Sequence, residues 1–145
     1  MKNSAITLAV AAVFAAGCSQ MSDMMKGDGS KGQQVNLTSS NEVPAVMSAA
    51  SGSGTVTVAA DCSVTAKITV AGMTATAAHI HNGALGANGP VIVPFVKQGD
   101  DTFVAPPGAR MTEEQCKAYK AGNTYVNVHS AKHPGGEIRA QLKGG

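Results

Sequence analysis

All four histidines of this chain fall in two short windows. His79 and His81 lie in the segment AHIHNG, and His129 and His133 lie in NVHSAKHPGG. Neutral imidazole is the commonest side-chain ligand for metals, and with an ordinary pKa near about 6.5 much of it is uncharged at neutral pH. A set of nitrogen donors without thiolate suits copper or zinc, with iron and nickel as further options. The histidines therefore predict a transition-metal site, with copper favoured over zinc.

Alternation along the chain predicts which way these side chains point. Residues i and i+2 of a strand lie on the same face of a sheet. Because Ile80 is the better core residue, His79 and His81 should point outward. Applied to YVNVH and GEIRAQL, the same rule sends one set inward, namely Val126, Val128, Ile138, Ala140 and Leu142. It sends the other set outward, namely Tyr125, Asn127, His129, Glu137, Arg139 and Gln141.

If the three strands are neighbours, their outward side chains form one patch. The candidate ligands are His79, His81, His129 and, folding back from beyond the strand end, His133. Asn82, Asn127 and Glu137 would orient the imidazole rings from outside the ligand set. Alternatively, the histidines bind no metal and only hydrogen-bond to neighbouring groups. A separation of more than about 10 Å between His79 and His129 would exclude a shared site, since metal–nitrogen bonds are near about 2.0 Å.

Two other charged residues near this patch have two interpretations each. Arg139 either attracts an anion close to the metal or, as an exposed strand residue, pairs with Glu137 or another acid. Glu42 precedes Val43–Pro44, where extended backbone is expected. Its carboxylate either holds a loop together or contributes to the histidine patch.

The elements that must position these residues are mostly strands. Alternating Val and Thr segments, broken by Gly, Pro, Asn and Asp, predict strands over 33–39, 54–59, 63–70, 75–81, 91–96, 124–130 and 137–142. About seven or eight short antiparallel strands indicate an all-β fold, a Greek-key β-sandwich or barrel. The capping-box pattern Thr112 to Gln115 predicts one short helix over about 113–121, which ends at Gly122.

The first residues are typical of an export signal. Lys2 precedes the apolar run Ala5–Ala16, which is shorter than the roughly 20 residues that span a bilayer. The segment Ala15-Ala16-Gly17-Cys18 resembles the lipobox of bacterial lipoproteins, whose cysteine is lipidated. Ser19 resembles the sorting signature of outer-membrane lipoproteins. A plain secretory peptide is the alternative.

These segments divide the chain into a signal peptide over 1–17, a lipidated flexible tether over 18–33 and one domain over 34–145. The predicted location is the bacterial cell envelope, on an outer-membrane anchor facing the periplasm or the exterior. Met21, Met24 and Met25 in the tether are either soft copper ligands or part of an unstructured spacer. With Cys18 lipidated, Cys62 and Cys116 are expected to form a disulfide in an oxidising compartment; the alternative is a metal site.

Composition excludes two other classes of protein. Of 145 residues, 43% are hydrophobic and 14% are charged, which is too little charge for a solvated disordered tail. The formal net charge is +2, and no basic cluster is interleaved with aromatic residues, so nucleic acid is not an expected partner. The expected partners are the membrane, through the lipid anchor, and a metal ion.

Four segments, in order along the chain, resemble the CHRD domains named from the animal protein chordin. They are NEVP at 41–44, GSGTVTV at 52–58, the block AHIHNGALGANGPVIV and the final YVNVHSAKHPGGEIRAQL. The resemblance covers about residues 34–142, and it implies little about activity. A weaker resemblance is to copper–zinc superoxide dismutase, a Greek-key barrel that also holds copper with an HxH pair and later histidines. By that analogy His79, His81 and His129 are the copper set, although a separate zinc loop is missing.

Three functions therefore remain open. The first is an envelope lipoprotein that binds a transition metal through its histidine cluster. The second is a copper-dependent oxidoreductase resembling superoxide dismutase, with no catalytic residue assigned. The third is a structural or adhesion module without metal.

Overall fold

A computed structural model of the protein describes residues 31–145, and these residues form antiparallel strands and one helix. The strands are β1 (Gln33–Thr38), β2 (Ser51–Val58), β3 (Val64–Ala71), β4 (Ala75–Asn82), β5 (Val91–Pro94), β6 (Val96–Lys97), β7 (Thr102–Val104), β8 (Thr124–Ser130) and β9 (Ile138–Leu142). Helix α1 spans Glu113–Lys120, and a short 3-10 helix spans Ser39–Asn41. The all-β prediction is confirmed.

The strands form one sheet that nearly closes into a barrel. Its order is β5-β4-β8-β9-β1-β2-β3-β7-β6, so β5 and β6 lie at opposite ends of the sheet although they are consecutive in the chain. Phe95, between them, donates its backbone N–H to Ala78 O of β4 at 3.0 Å, while β6 pairs with β7. One bent segment therefore bridges the two ends of the sheet.

The apolar core lies where alternation predicts it. The inward set of β4, β8 and β9 is buried among the core residues, which include Ile80, Val126, Val128, Ile138 and Leu142 at no more than 1% exposure. Val35 and Leu37 of β1, Val56 of β2 and Ile68 of β3 complete the same core. Burying these branched side chains, at about 1.5–3 kcal/mol each, is the main stabilising contribution to the fold.

Helix α1 begins as its sequence predicts. The Thr112 hydroxyl accepts from the Gln115 backbone N–H, and the Gln115 side chain accepts from the Thr112 N–H, which completes the capping box. The helix ends at Lys120, one residue before the predicted end, and Gly122 follows with a φ of +77°. Cys116 on this helix is bonded to Cys62, so the predicted disulfide fastens the helix to the turn between β2 and β3.

Three parts of the strand prediction differ from the structure. Strand β2 begins at Ser51, three residues before the predicted start at 54. Strand β7 was missed, because its three residues are too few to show alternation before the Pro106–Pro107 turn. The predicted strand 91–96 is two strands, since Phe95 turns into the core where the segment passes from β4 to β7. Strand β1 begins at Gln33, where the alternation predicts it.

The predicted signal peptide, Cys18 and Met21, Met24 and Met25 lie outside the described residues. Within residues 31–145, no helix has the length and apolar character needed to cross a bilayer.

Candidate metal site

Strands β4, β8 and β9 are neighbours in the sheet, as the histidine patch requires. Strand β8 lies in the middle, and its Asn127 is opposite His79 of β4 on one side and Arg139 of β9 on the other. Ala77 is opposite His129 in the same register. His129 therefore lies diagonally across from His79, which is within reach of two imidazole side chains on one face.

Three histidines converge on one point. His79 Nδ1 and His129 Nε2 are 2.9 Å apart, far inside the 10 Å limit that a shared site requires. One ring nitrogen of each of His79, His81 and His129 lies within 4.8 Å of the others. Nitrogens bound to a single ion at about 2.0 Å are about 3 to 4 Å apart, so adjustments of roughly 1 Å suffice for all three to bind it. These side chains can hold a metal ion.

Two backbone carbonyls bind the Nδ1 atoms of His81 and His129, which leaves the Nε2 atoms of these rings facing the cluster. His81 Nδ1 lies 2.9 Å from Gly89 O, and His129 Nδ1 lies 2.9 Å from Pro134 O. A carbonyl oxygen accepts hydrogen bonds and never donates them, so both Nδ1 atoms carry the proton. The lone pair of each neutral ring is consequently on Nε2. This is the usual arrangement of a metal-binding histidine, whose other nitrogen donates to an outer partner.

The His81 nitrogen that faces the cluster is an unpaired acceptor. His81 is 8% exposed, and its Nε2 has no hydrogen-bond partner among the described residues. Leaving a buried acceptor unpaired costs about 1–3 kcal/mol. A metal ion would use this lone pair, which makes the orphaned nitrogen independent support for a binding site.

Burial keeps the His79 and His81 rings uncharged. Burial, reinforced by the neighbouring His129 and His81 rings, lowers the pKa of His79 to about 4. Burial likewise lowers the pKa of His81. Both rings are therefore neutral near pH 7, which is the form that coordinates metals.

The outer face of β4, β8 and β9 is covered rather than exposed. All seven residues of β8 are buried, including the outward Tyr125, Asn127 and His129. The loop 83–90 lies over this face, and its Gly89 and Ala87 carbonyls accept hydrogen bonds from His81 and Arg139. The turn after β8 adds Pro134 O. Alternation identified correctly which face of the sheet carries the histidines, but it did not predict that a loop and a turn cover this face.

His133 lies outside the cluster of three. Its backbone N–H donates to Ser130 Oγ at 3.1 Å, in the turn that follows β8. Its Nε2 is buried without a hydrogen-bond partner among the described residues, and its ring lies near Glu137. The turn places His133 beside Glu137, and the group of rings that could hold an ion does not include it.

The three predicted supporting residues have different positions. Glu137 accepts from the hydroxyls of Ser48 and Ser130, and the imidazole that it interacts with is that of His133. Asn82 contributes its backbone, which donates to Pro90 O at the base of loop 83–90. Asn127 lies next to His79 in the register, as expected, and its Nδ2 donates to Glu42 Oε1 at 3.4 Å.

Arg139 is neither exposed nor paired with Glu137, contrary to one of its two interpretations. It is 2% exposed, and its guanidinium carbon lies 3.4 Å from the centre of the Tyr125 ring. Tyr125 in turn stacks on His81, with 4.8 Å between ring centres and 6° between planes. Glu42 is also buried, which raises its pKa, and it contacts Asn127 rather than the histidines.

Sequence reasoning missed the groups that orient the rings. Both are backbone carbonyls, of Gly89 and Pro134, and carbonyls leave no signal in residue types. The Tyr125 stack did have a signal, because this aromatic was predicted on the same outward face as His81. What was lacking was the strand order that places them opposite each other.

Comparison with known proteins adds one match. A family model described as the CHRD domain matches residues 33–142, which include all the strands and the α-helix of the described residues. No curated protein and no solved structure matches the chain.

Proposed function

This chain belongs to the CHRD domain family, and we propose that it binds one transition-metal ion, with copper favoured, through His79, His81 and His129. The observation that carries the proposal is the pair of carbonyl-bound rings, which direct two Nε2 lone pairs toward the third histidine. The buried His81 Nε2 has no partner at hydrogen-bond distance among the described residues, so its lone pair is available to an ion between the three rings.

The donor set favours copper over other metals. It consists of three imidazole rings, without thiolate or carboxylate. Imidazole suits copper, zinc, nickel and iron, and among divalent ions copper binds nitrogen sites most tightly. A divalent ion that prefers charged or oxygen ligands finds none within this cluster. Zinc is the principal competitor.

Titration of the purified protein with copper and with zinc tests this function. We expect one equivalent to bind and to raise the melting temperature, because an ion that binds the folded state alone stabilises it. The His79→Ala/His129→Ala double variant should lose more affinity than the roughly 10–100-fold that follows loss of an outer partner.

The matched control is His133→Ala, which removes an imidazole outside the cluster and should bind as the wild type does. Absence of stoichiometric metal in the wild type, with the same melting temperature in the double variant, would refute metal binding. It would favour the structural or adhesion module.

A copper-dependent oxidoreductase resembling superoxide dismutase is a second candidate function. Three protein ligands leave a coordination position open, and the His79 ring is partly exposed, so a small molecule can approach from that side. Bound copper would supply one-electron chemistry there. Superoxide consumption by the copper-loaded protein, compared with the double variant under the same loading, separates this enzyme from a protein that only binds, stores or delivers metal.

We also propose that the protein is a lipoprotein of the bacterial cell envelope, anchored to the outer membrane through Cys18. The support is the signal-like run Ala5–Ala16 followed by the lipobox-like Ala15–Cys18. The Cys62–Cys116 disulfide agrees with an oxidising compartment outside the cytoplasm.

A further inference from the structure

Arg139 places a buried positive charge beside the histidine cluster. Its guanidinium donates to three neutral oxygens: Asn88 Oδ1 at 3.1 Å, Ala87 O at 2.8 Å and Gln141 Oε1 at 3.4 Å. Among the described residues the salt bridge present joins Arg110 to Asp61, so Arg139 has no carboxylate in direct contact. Because arginine stays protonated in proteins, this charge is fixed.

The nearest acid compensates this charge weakly. Glu42 interacts electrostatically with Arg139 without forming an ion pair, and burial raises the Glu42 pKa. The three hydrogen-bond partners of the guanidinium are neutral. The positive charge of Arg139 is therefore largely uncompensated, and it acts electrostatically on neighbouring groups such as His81.

Tyr125 connects this charge to a ligand of the cluster. Strand β8 lies between β4 and β9, so the Tyr125 ring lies between His81 on one side and Arg139 on the other. From the two stacking distances of 4.8 Å and 3.4 Å, the guanidinium lies at most about 8 Å from the His81 ring. The Tyr125 ring in the intervening space and Arg139 itself are both only 2% exposed, so solvent screens this interaction little.

We propose that Arg139, stacked on Tyr125 against His81, biases the three-histidine site toward copper(I) over copper(II). This inference rests on the proposed metal-binding function. A fixed positive charge repels a doubly charged ion more than a singly charged one. For one unit of charge at about 9 Å and an effective dielectric constant of about 20, the preference is on the order of tenfold.

The best variant neutralises Arg139 without removing it, because Arg139 also holds loop 83–90 through Ala87 O. Asn88 is exposed, and its Oδ1 already accepts from Arg139. Asn88→Asp is nearly isosteric and converts this hydrogen bond into an ion pair, while it removes the hydrogen bond from Asn88 Nδ2 to Val43 O. Gln98→Glu, in the exposed turn between β6 and β7, makes the same change in net charge and is the matched control.

The experiment measures copper(I) and copper(II) affinities by competition with chelators of known strength, for the wild type and each variant. We expect Asn88→Asp to lower the copper(I)/copper(II) affinity ratio by several-fold to tenfold. A tenfold change corresponds to a fall of about 59 mV in reduction potential. Zinc affinity, which involves no redox change, should rise together with that of copper(II). Gln98→Glu should leave all three affinities unchanged.

A second pair of variants changes Arg139 itself. Arg139→Gln removes it and should shift the ratio in the same direction, whereas Arg139→Lys keeps it and should shift the ratio less. An unchanged ratio in Asn88→Asp and in folded Arg139→Gln, with normal copper binding by the wild type, would overturn this inference alone. Failure of the wild type to bind copper would overturn the metal-binding function and this inference with it.

Discussion

The three clustered histidine rings differ in how firmly they are held. His81 and His129 each donate from Nδ1 to a backbone carbonyl, which fixes ring orientation and tautomer. The His79 ring has no such carbonyl partner; its Nδ1 donates to the lone pair on His129 Nε2. His79 is also more exposed than the other two. An ion would therefore find two preset nitrogens, and His79 would exchange its hydrogen bond for a metal bond.

The depressed His79 pKa has a consequence for stability in the absence of metal. Its folded-state pKa is about 4, against an ordinary value of 6.5. Between these pH values the unfolded chain binds the proton more readily, so the free energy of unfolding should fall as pH drops from about 6.5 to 4. Partial exposure screens the effect, and we expect a loss on the order of 1 kcal/mol.

Thermal unfolding of metal-free protein at several pH values between 7 and 4 measures this loss. His79→Asn lacks the titrating group, and its melting temperature should depend less on pH over the same interval. An identical pH dependence in the two proteins would show that His79 does not carry this linkage.

At the scale of elements, three strands and one loop build the site. Strands β4 and β8 supply the ligands, and β9 supplies Arg139. The loop 83–90 supplies Gly89, whose carbonyl orients His81 and whose N–H donates to the Tyr125 hydroxyl at 3.2 Å. The loop is therefore part of the candidate site, since it holds a ligand and the aromatic ring stacked on that ligand.

Gly89→Ala tests the contribution of this loop. A Cβ at Gly89 would meet the Asn82 carbonyl oxygen at 1.6 Å, so the loop must move and the carbonyl must leave His81. We expect copper and zinc affinity to fall by about 10–100-fold, the usual effect of losing an outer partner. Isothermal titration measures it.

Gly135→Ala is the control, because nothing lies within 4 Å of its added Cβ. Its affinity should equal that of the wild type. If Gly89→Ala also binds metal at wild-type affinity, the Gly89 carbonyl is not needed to orient His81.

At the scale of the whole molecule, closure of the sheet protects the strands that carry the ligands. Strand β4 would be near a free edge, but the segment containing β5 and Phe95 pairs along it and continues to β7 through β6. Closure leaves fewer unpaired backbone groups for association with other chains. The Cys62–Cys116 bond links α1 to the turn between β2 and β3.

The proposed anchor also concerns the whole molecule. Wild-type protein expressed with its complete N-terminus in a double-membraned bacterium should fractionate with the outer membrane, and its mass should include the lipid on Cys18. Cys18→Ser should be released from the membrane, because the lipidated thiol is absent. The described domain lacks Cys18, so metal affinity should not change. Equal membrane association of both proteins would contradict lipid anchoring at Cys18.

Much of the fold was predictable because its signals are local. Alternation placed Ile80, Val126 and Ile138 in the core, and the Thr112–Gln115 capping box located α1. The three-residue strand β7 has too little alternation to be recognised, and the bend at Phe95 reflects a change of pairing partner rather than a turn residue.

The candidate site was predictable in part. His79, His81 and His129 were expected together and lie together, whereas His133 and Glu137 interact with each other outside the cluster. Both residues follow β8, where the path of the chain depends on hydrogen bonds of Ser130 and Gly136 rather than on strand geometry. Alternation carries no information beyond the end of a strand.

By itself, the sequence determined the face on which His79, His81 and His129 project, because the two-residue period of a strand is a local steric property. The tertiary structure alone decided that the two histidine windows meet 2.9 Å apart, that carbonyls 8 and 5 residues away orient their rings, and that Arg139 lies against Tyr125. These contacts depend on strand order and on loops packed over the sheet. Both are set by the total free energy of many distant pairings, which no short segment encodes.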